Sequence, residues 1–177
     1  MRVSVEKGYM PGCIGRICEL HARYYSKLVG FGLPFESKVA RELSEFCLRY
    51  DDQRDGLWLA ICDGQVHGSI AIDGAHADGE GAHLRWFITS NEIRGKGAGK
   101  DLINTAMEFC KSRSYHRVYL WTFAGLNAAR HLYEKSGFKL VHQQRGAQWG
   151  AEVDEQRFEW RGRRYSSSEN GVPKGCV

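Results

Sequence analysis

The chain has 177 residues, of which 42% are hydrophobic and 26% charged, and its formal net charge is +4. This length fits one domain with a real hydrophobic core, and the composition is that of a soluble globular protein. The net charge is too small to argue for nucleic-acid binding, and it suits an anionic small-molecule ligand equally well.

The cysteine pattern and the N-terminal sequence indicate in which cellular compartment the protein is found. Six cysteines are spread along the chain with no C-x-x-C pair and no zinc-binding spacing. The N-terminus has no secretory signal pattern, and no apolar run approaches the roughly 18 residues of a membrane span. We therefore expect a reduced, cytoplasmic protein with no metal site, no nucleic-acid partner and no membrane partner.

The first half of the chain predicts a strand, two helices and a hairpin. An alternating segment at 2–8 reads as a strand, and apolar residues recur at helical spacing over 11–32 and 34–51. The segment 56–73 reads as a hairpin that turns at the pair Asp63–Gly64. A loop of small and polar residues follows it.

Strands and helices alternate in the second half. We predict strands at 83–89, 116–123, 138–144 and 155–160, with helices at 100–114 and 125–138. The order β-α-α-β-β-β-α-β-α-β-β predicts an α/β (α+β) fold, in which a mixed sheet carries helices on both faces. The remaining segment, 161–177, is basic and polar without a periodic apolar face, and we expect it to be a loose tail.

A glycine-rich stretch joins the strand at 83–89 to the following helix. Its residues are Arg94, Gly95, Lys96, Gly97, Ala98 and Gly99, followed by Lys100. A tight turn of this kind aims backbone N–H groups at one point, and the start of a helix adds its dipole, so the stretch is suited to a phosphate. The alternative is a glycine-rich turn in which the basic residues are incidental.

Two familiar phosphate-binding patterns do not fit this stretch. A P-loop needs glycine where Arg94 stands, and Ser or Thr where Asp101 stands. A dinucleotide-binding fingerprint beginning at Gly95 or Gly97 needs a glycine where Lys100 or Leu102 stands. The spacing that remains is Arg-x-x-Gly-x-Gly.

In its wider context the stretch resembles the GNAT superfamily of acetyl-CoA-dependent N-acyltransferases. The resemblance runs from about 57 to 158, with a strand, pyrophosphate loop and helix over 84–110 and a Tyr-x-x-x-Gly-Phe ending within 117–141. The sequence of this region resembles that of the acetyltransferase half of bacterial MarR–GNAT fusion proteins, although this chain has no winged-helix segment. The resemblance implies one GNAT domain over 1–160, with a mixed, mostly antiparallel central sheet flanked by helices.

The resemblance also implies a binding site for acetyl-CoA, without a metal. In such enzymes the donor lies between the fourth and fifth strands, where main-chain groups bind pantetheine as an added strand would. The residues implied for the donor, besides the glycine-rich stretch, are Phe87, Ile88, Thr89, Asn127, Ala129 and Tyr133. For Asn127 a helix N-cap is the equal alternative.

Tyr133 matches the tyrosine that lies near the CoA sulfur in this family, where a phenol can protonate the leaving thiolate. The family's fourth-strand carboxylate position holds Arg85, which cannot act as a base. His83 and Glu80 are the alternative base candidates, since period-two alternation places His83, Arg85 and Phe87 on one face.

The acceptor pocket is expected between the first two helices and the loop between the last two strands. Arg85, Tyr24, Glu36 and Trp149 are the candidate acceptor-binding residues. Arg85 would grip a carboxylate on the acceptor, unless it pairs with an acidic neighbour in the fold.

The function implied is acetyl transfer to the primary amine of a small, carboxylate-bearing molecule, by direct attack in a ternary complex. The alternatives are acetylation of a protein N-terminus or lysine, and a non-catalytic module that binds or senses acyl-CoA. Homodimers are frequent in the family, so a homodimer is an expected state.

Overall fold

The structure, a computed structural model, describes residues 2–162. Its strands and helices are β1 (Val3–Lys7), α1 (Cys13–Val29), α2 (Leu33–Leu48), β2 (Gly56–Cys62), β3 (Gln65–Asp73), β4 (Ala82–Thr89), α3 (Ala98–Ser112), β5 (Arg117–Phe123), α4 (Asn127–Lys135), β6 (Lys139–Gly146) and β7 (Val153–Arg161). The predicted order of elements is thereby confirmed. The expected loose tail lies outside the described residues, apart from Gly162 and Arg161, the last residue of β7.

The strands form one sheet in the order β1-β2-β3-β4-β5-β7-β6. Neighbouring strands are antiparallel except for β4 and β5, which are parallel. The sheet is therefore mixed and mostly antiparallel, as the resemblance implied. The one parallel pair lies at its centre, because α3 returns the chain from the end of β4 to the start of β5.

The hairpin of β2 and β3 turns where the sequence predicts. Cys62 pairs with Gln65, and the two residues between them, Asp63 and Gly64, both have positive φ, 48° and 75°. Two left-handed residues in a two-residue loop give the turn whose twist matches that of paired strands. The hairpin thus fixes the register of the first half of the sheet.

Two apolar layers enclose the sheet. On one face α1 and α2 pack with a stripe that includes Ile17, Phe35 and Phe46, all buried. On the other face lies α3, whose buried stripe includes Leu102 and Ala106 and is joined there by residues of α4. Successive members of such a stripe lie three or four residues apart, about one turn, which puts each stripe on one side of its helix.

The parallel pair β4–β5 is short. It extends only over Ala82–Val118 and His83–Tyr119, although β4 stays paired with β3 to its end and β5 stays paired with β7 along its full length. Beyond His83 the two strands therefore separate, and the sheet opens in a V between them.

Candidate active site

The V between β4 and β5 leads into a cavity of about 570 Å³. Its wall combines both helical layers, with Tyr25 from α1 and Tyr133 from α4, and Trp149 from the loop between β6 and β7 closes one side. The opening thus passes through the sheet, so a ligand entering from the α3 side can meet one held on the α1–α2 side.

A bulge in β4 shapes this opening. Ser69 pairs with Ile88 and Ala71 with Arg85, so that the one residue between them on β3 faces two residues on β4. Trp86, inside the bulge, has φ +47°, and its carbonyl oxygen accepts a hydrogen bond of 2.6 Å from the Ser69 hydroxyl. A non-glycine residue rarely adopts this backbone conformation, which is held here by its surroundings.

The bulge corrects the predicted alternation of β4. Arg85 and Trp86 both contact α2, the former through Glu42 and the latter through Phe46. Phe87 lies instead on the α3–α4 face, where its ring is 5.8 Å from that of Tyr133. Phe87 therefore does not share a face with Arg85, because the extra residue reverses the period-two pattern beyond it.

The glycine-rich stretch forms a turn that ends in the N-terminus of α3. Gly95 and Gly97 have φ values of +78° and +83°, and Gly97 is the N-cap. The first helical hydrogen bond of α3 runs from the Asp101 N–H to the Gly97 carbonyl, so the N–H groups between them are not used inside the helix. The exposed Arg94 and Lys100 flank this turn. The arrangement fits a pyrophosphate.

The β5-facing edge of β4 offers a second feature that suits the donor. From Leu84 to Thr89 this edge has no strand partner, because β5 has turned away. Gly99 lies beside it, and a Cβ at Gly99 would be 3.2 Å from Leu132 and 3.6 Å from Phe87. The unpaired main chain of Phe87 and its neighbours can bind the amides of an extended ligand.

Asn127 is the first residue of α4, and its side chain does not cap the helix; Leu126 takes the N-cap position. The N-cap alternative for Asn127 is therefore wrong. Its exposed amide remains open to a ligand, and Ala129 follows on the same short helix.

Tyr133 points its ring into the core between the V and α3. It is 6% exposed, lies about 6 Å from the rings of Phe138 and Phe158, and lines the cavity. Burial, with Tyr25 nearby, raises the pKa of the Tyr133 phenol well above its ordinary value. The raised pKa keeps the phenol protonated. No hydrogen bond joins its hydroxyl to a residue in 2–162, so the hydroxyl is available as a donor to a ligand.

His83 and Glu80 both line the cavity, but each is already engaged. The His83 ring stacks on Tyr119 with centroids 4.4 Å apart, and burial beside Arg85 lowers the pKa of His83 to about 3. Glu80 accepts a 2.8 Å hydrogen bond from Arg157, so its carboxylate is already paired.

Arg85 lies on the α1–α2 side of the cavity in a chain of alternating charges. Its guanidinium donates to Glu42 and lies 3.8 Å from Asp73. Asp73 also accepts from Arg49 at the end of α2, while Glu42 accepts from Lys38. The cavity wall as a whole holds three cations and three carboxylates, so it offers cations to a ligand without a net positive charge.

The residues that line the cavity include some of the other candidate acceptor-binding residues and not others. Trp149 is in the wall, with its ring 5.7 Å from Phe123. Tyr24 and Glu36 are not; Tyr24 lies behind Tyr25, edge-on at 5.0 Å. One residue along α1 turns a side chain by about 100°, so Tyr25 faces the cavity in place of Tyr24.

The residues of the wall that the sequence-based prediction missed include His21, Lys38 and Arg49. Helical spacing offers a signal for His21, which precedes Tyr25 by four residues and so shares its face. For Lys38 and Arg49 no comparable signal exists, since a cation on a helix is ordinarily solvated.

The described residues contain no group of His, Cys, Asp and Glu side chains able to hold a metal ion. Nor does a cysteine of residues 2–162 line the cavity; burial raises the pKa of Cys110 to about 12. Among the helices in the described part of the chain, none has both the length and the apolar character to span a bilayer.

The curated relatives of this chain include two proteins named N-acetylaspartate synthetase. The chain is 31% identical over 138 residues to N-acetylaspartate synthetase of Xenopus tropicalis, covering 77% of this chain and 51% of that protein. The human N-acetylaspartate synthetase is 29% identical over 147 residues, covering 77% of this chain and 45% of that protein. The chain thus spans about half the length of the curated relatives it matches.

Solved structures share the fold. A GNAT-family acetyltransferase from Staphylococcus aureus superposes with a TM-score of 0.73 at 16% identity, covering 90% of this chain and 99% of that one. A Salmonella typhimurium structure with acetyl-CoA, a putative acetyltransferase, gives 0.67 at 14% identity, covering 99% and 100%.

Most of the chain also matches a protein family. Residues 15–138 match the Acetyltransferase (GNAT) family, whose acyl donor is acetyl-CoA. This region runs from α1 through the V, the turn and α4, and so contains most of the cavity wall described above. The chain belongs to the GNAT family of N-acetyltransferases.

Proposed function

We propose that this protein transfers the acetyl group of acetyl-CoA to the primary amine of a small molecule that carries carboxylates, with an acidic amino acid such as aspartate as the acceptor. The observation that carries the proposal is that three cations, Lys38, Arg49 and Arg85, line the cavity. The relatives named N-acetylaspartate synthetase support the same acceptor class.

The donor half of the cavity supports the placement of acetyl-CoA. The turn at Arg94–Gly99 would receive the pyrophosphate on backbone N–H groups and the dipole of α3. The free edge of β4 at Phe87, Ile88 and Thr89 would bind the pantetheine, and Asn127 would bond to it from α4. This orientation directs the thioester to the V, between Tyr133 and the α1–α2 side.

The acceptor half supports a ligand with negative charge. Arg85 reaches the cavity from the strand and Lys38 from α2, and Glu42, the carboxylate that both contact, is only partly buried. A carboxylate of the acceptor would exchange with Glu42 for the guanidinium of Arg85, because a planar guanidinium binds carboxylates in a bidentate manner. The amine of the same molecule would then face the thioester.

Direct transfer in a ternary complex is the mechanism we propose. No cysteine of residues 2–162 lies in the wall to form an acetyl-enzyme, whereas both halves of the cavity meet in the V. Tyr133 would donate its proton to the departing sulfur, since its hydroxyl faces the cavity and the high pKa keeps the phenol protonated.

An acceptor screen tests the proposal. The purified chain is supplied with acetyl-CoA, and thiol release is measured with aspartate, glutamate, asparagine, spermidine and a peptide with a free N-terminus. We expect aspartate and glutamate to have the highest kcat/KM, at least about tenfold above asparagine. Preference for spermidine, unchanged in Arg85→Ala, would overturn the acceptor class, and turnover of the peptide alone would indicate a protein acetyltransferase.

A further inference from the structure

His21 is a buried side chain in the cavity wall that none of the roles above uses. It lies on α1, is 6% exposed, and its ring centroid is 6.1 Å from that of Tyr25, one turn further along the helix. A polar side chain buried to this degree ordinarily satisfies each of its polar atoms. The contacts of its two nitrogens therefore show what the ring can still bind.

One nitrogen of His21 is fully committed. Nδ1 lies 2.8 Å from the carbonyl oxygen of Ile17, one turn earlier in α1. Because a carbonyl oxygen only accepts, Nδ1 carries the hydrogen, and the neutral ring keeps a lone pair on Nε2. Nε2 has no hydrogen-bond partner within residues 2–162, and it is not sealed from the cavity.

The surroundings keep this lone pair available. Burial lowers the pKa of His21 to about 4, against a smaller opposing effect of the bond to Ile17. The adjacent wall is aromatic, formed by Tyr25, Phe31 and Phe35. The ring is thus neutral near pH 7, and Nε2 is a free hydrogen-bond acceptor on a residue that lines the side of the cavity assigned to the amine.

We propose that Nε2 of His21 accepts the proton that the acceptor amine loses during acetyl transfer. This inference rests on the proposed function, since it requires an amine on the α1–α2 side. Glu80 and His83, the base candidates predicted from sequence, are less suited to this role. Glu80 is bound to Arg157, and His83 is stacked on Tyr119 beside Arg85.

The proton and bond changes balance without another reactant. The neutral amine nitrogen forms a bond to the carbonyl carbon, and the bond from that carbon to sulfur breaks with its electron pair on sulfur. One proton passes from nitrogen to Nε2, and the sulfur takes one from the Tyr133 hydroxyl. Solvent then returns the proton of His21 to Tyr133, which leaves the amide, CoA and the original protein.

The test compares His21→Ala and His21→Gln with the exposed control His116→Gln. We expect kcat for the best acceptor to fall about 100-fold in both His21 variants, with the KM for acetyl-CoA within about twofold of wild type. Imidazole in the buffer should raise the turnover of His21→Ala at least about fivefold, because it can enter the space that the ring leaves. Glutamine fills that space, so His21→Gln should gain nothing.

A spectroscopic measurement does not depend on activity. Long-range ¹H–¹⁵N spectra of the wild type should show His21 as the neutral Nδ1–H form at pH 7, with an Nε2 signal that shifts when an acceptor is added without acetyl-CoA. An Nε2–H form would overturn the proposal, as would His21→Gln with wild-type kcat or His21→Ala without rescue. A wild-type protein that turns over no amine would overturn the proposed function together with it.

Discussion

The guanidinium of Arg85 is hydrogen-bonded to the carboxylate of Glu42 across the acceptor half of the cavity. The pair joins β4 to α2 at the position where the family commonly has a carboxylate on the strand. Here the strand supplies the cation and the helix supplies the anion, so the sign of the charge presented by β4 is reversed. Both side chains are about one-fifth exposed, so a ligand can reach the pair.

Replacement of Arg85 should separate acidic from neutral acceptors. In Arg85→Gln we expect kcat/KM for aspartate to fall about 10- to 100-fold, the value of a charge-assisted hydrogen bond, and kcat/KM for an uncharged amine to change less than threefold. The reciprocal variant Glu42→Gln frees Arg85 from its partner, so the KM for aspartate should fall. Steady-state kinetics with both acceptors provide the measurement.

Protein stability must be followed in the same variants, because Arg85 also neutralises the buried Asp73. Circular dichroism identifies a variant that fails to fold. Arg41→Gln is the matched control: this exposed cation lies 3.8 Å from the same Glu42 and is not in the cavity wall. Equal losses for both acceptors in a folded Arg85→Gln would contradict the carboxylate assignment.

The turn at the start of α3 permits a closely matched comparison. Gly97 and Gly12 are the N-caps of α3 and α1, with nearly the same backbone angles: φ 83° and ψ −8° for Gly97, φ 88° and ψ −11° for Gly12. Alanine strains either position about equally, at roughly 1 kcal/mol. Only Gly97→Ala should also raise the KM for acetyl-CoA, by about tenfold, with the acceptor KM within twofold.

Calorimetry with CoA extends this prediction to binding alone. Gly97→Ala should weaken CoA binding, whereas Gly12→Ala should bind CoA as the wild type does despite a similar loss of melting temperature. Equal affinity in the two variants would place the pyrophosphate away from this turn.

The residues proposed to bind acetyl-CoA could be named from the sequence because their signals are local. A glycine needed for positive φ, as at Gly97, or for close approach, as at Gly99, is visible in a short stretch, and Tyr133 stands at a fixed distance from a glycine and a phenylalanine. The order of strands and helices followed from periodicity for the same reason.

The acceptor half was not predictable in the same way, because it depends on contacts distant in sequence. Trp86 adopts φ +47° although its residue type disfavours it, and the hydroxyl of Ser69, 17 residues earlier, donates a hydrogen bond to its carbonyl oxygen within the bulge. Whether His21 is core or cavity wall depends on which strands α1 covers. Such choices belong to tertiary packing, which a single sequence does not reveal.

Removal of the Tyr133 hydroxyl should affect the chemical step alone. In Tyr133→Phe we expect kcat to fall about 100-fold and the KM for acetyl-CoA to stay within threefold, since the ring contacts to Phe87 and Phe138 are retained. The partly buried Tyr24, outside the cavity wall, supplies the control Tyr24→Phe.

A comparison of acetyl donors with different leaving thiols tests proton donation by Tyr133 directly. A donor with a more acidic thiol needs less help from a general acid, so an acetyl thioester of an aromatic thiol should recover part of the lost rate in Tyr133→Phe. The same fold loss with both donors would contradict proton donation by Tyr133.

The buried histidines should make the fold sensitive to acid. Burial lowers the pKa of His21 to about 4 and, with Arg85 nearby, that of His83 to about 3, against 6.5 in the unfolded chain. Between pH 6.5 and 4 the unfolded chain therefore binds protons that the folded chain does not, so their contribution is complete above pH 6.5 and is lost as the pH falls.

Urea unfolding at several pH values measures this loss. Each histidine contributes up to about 1.4 kcal/mol of unfolding free energy per pH unit inside the window. His21→Gln cannot bind a proton there, so its unfolding free energy should fall less steeply than that of the wild type between pH 6 and 4.5. His116→Gln, at an exposed position, should keep the wild-type slope. If His21→Gln also kept it, the folded protein would bind a proton on the His21 ring as readily as the unfolded chain does, and the lowered pKa of that ring would be contradicted.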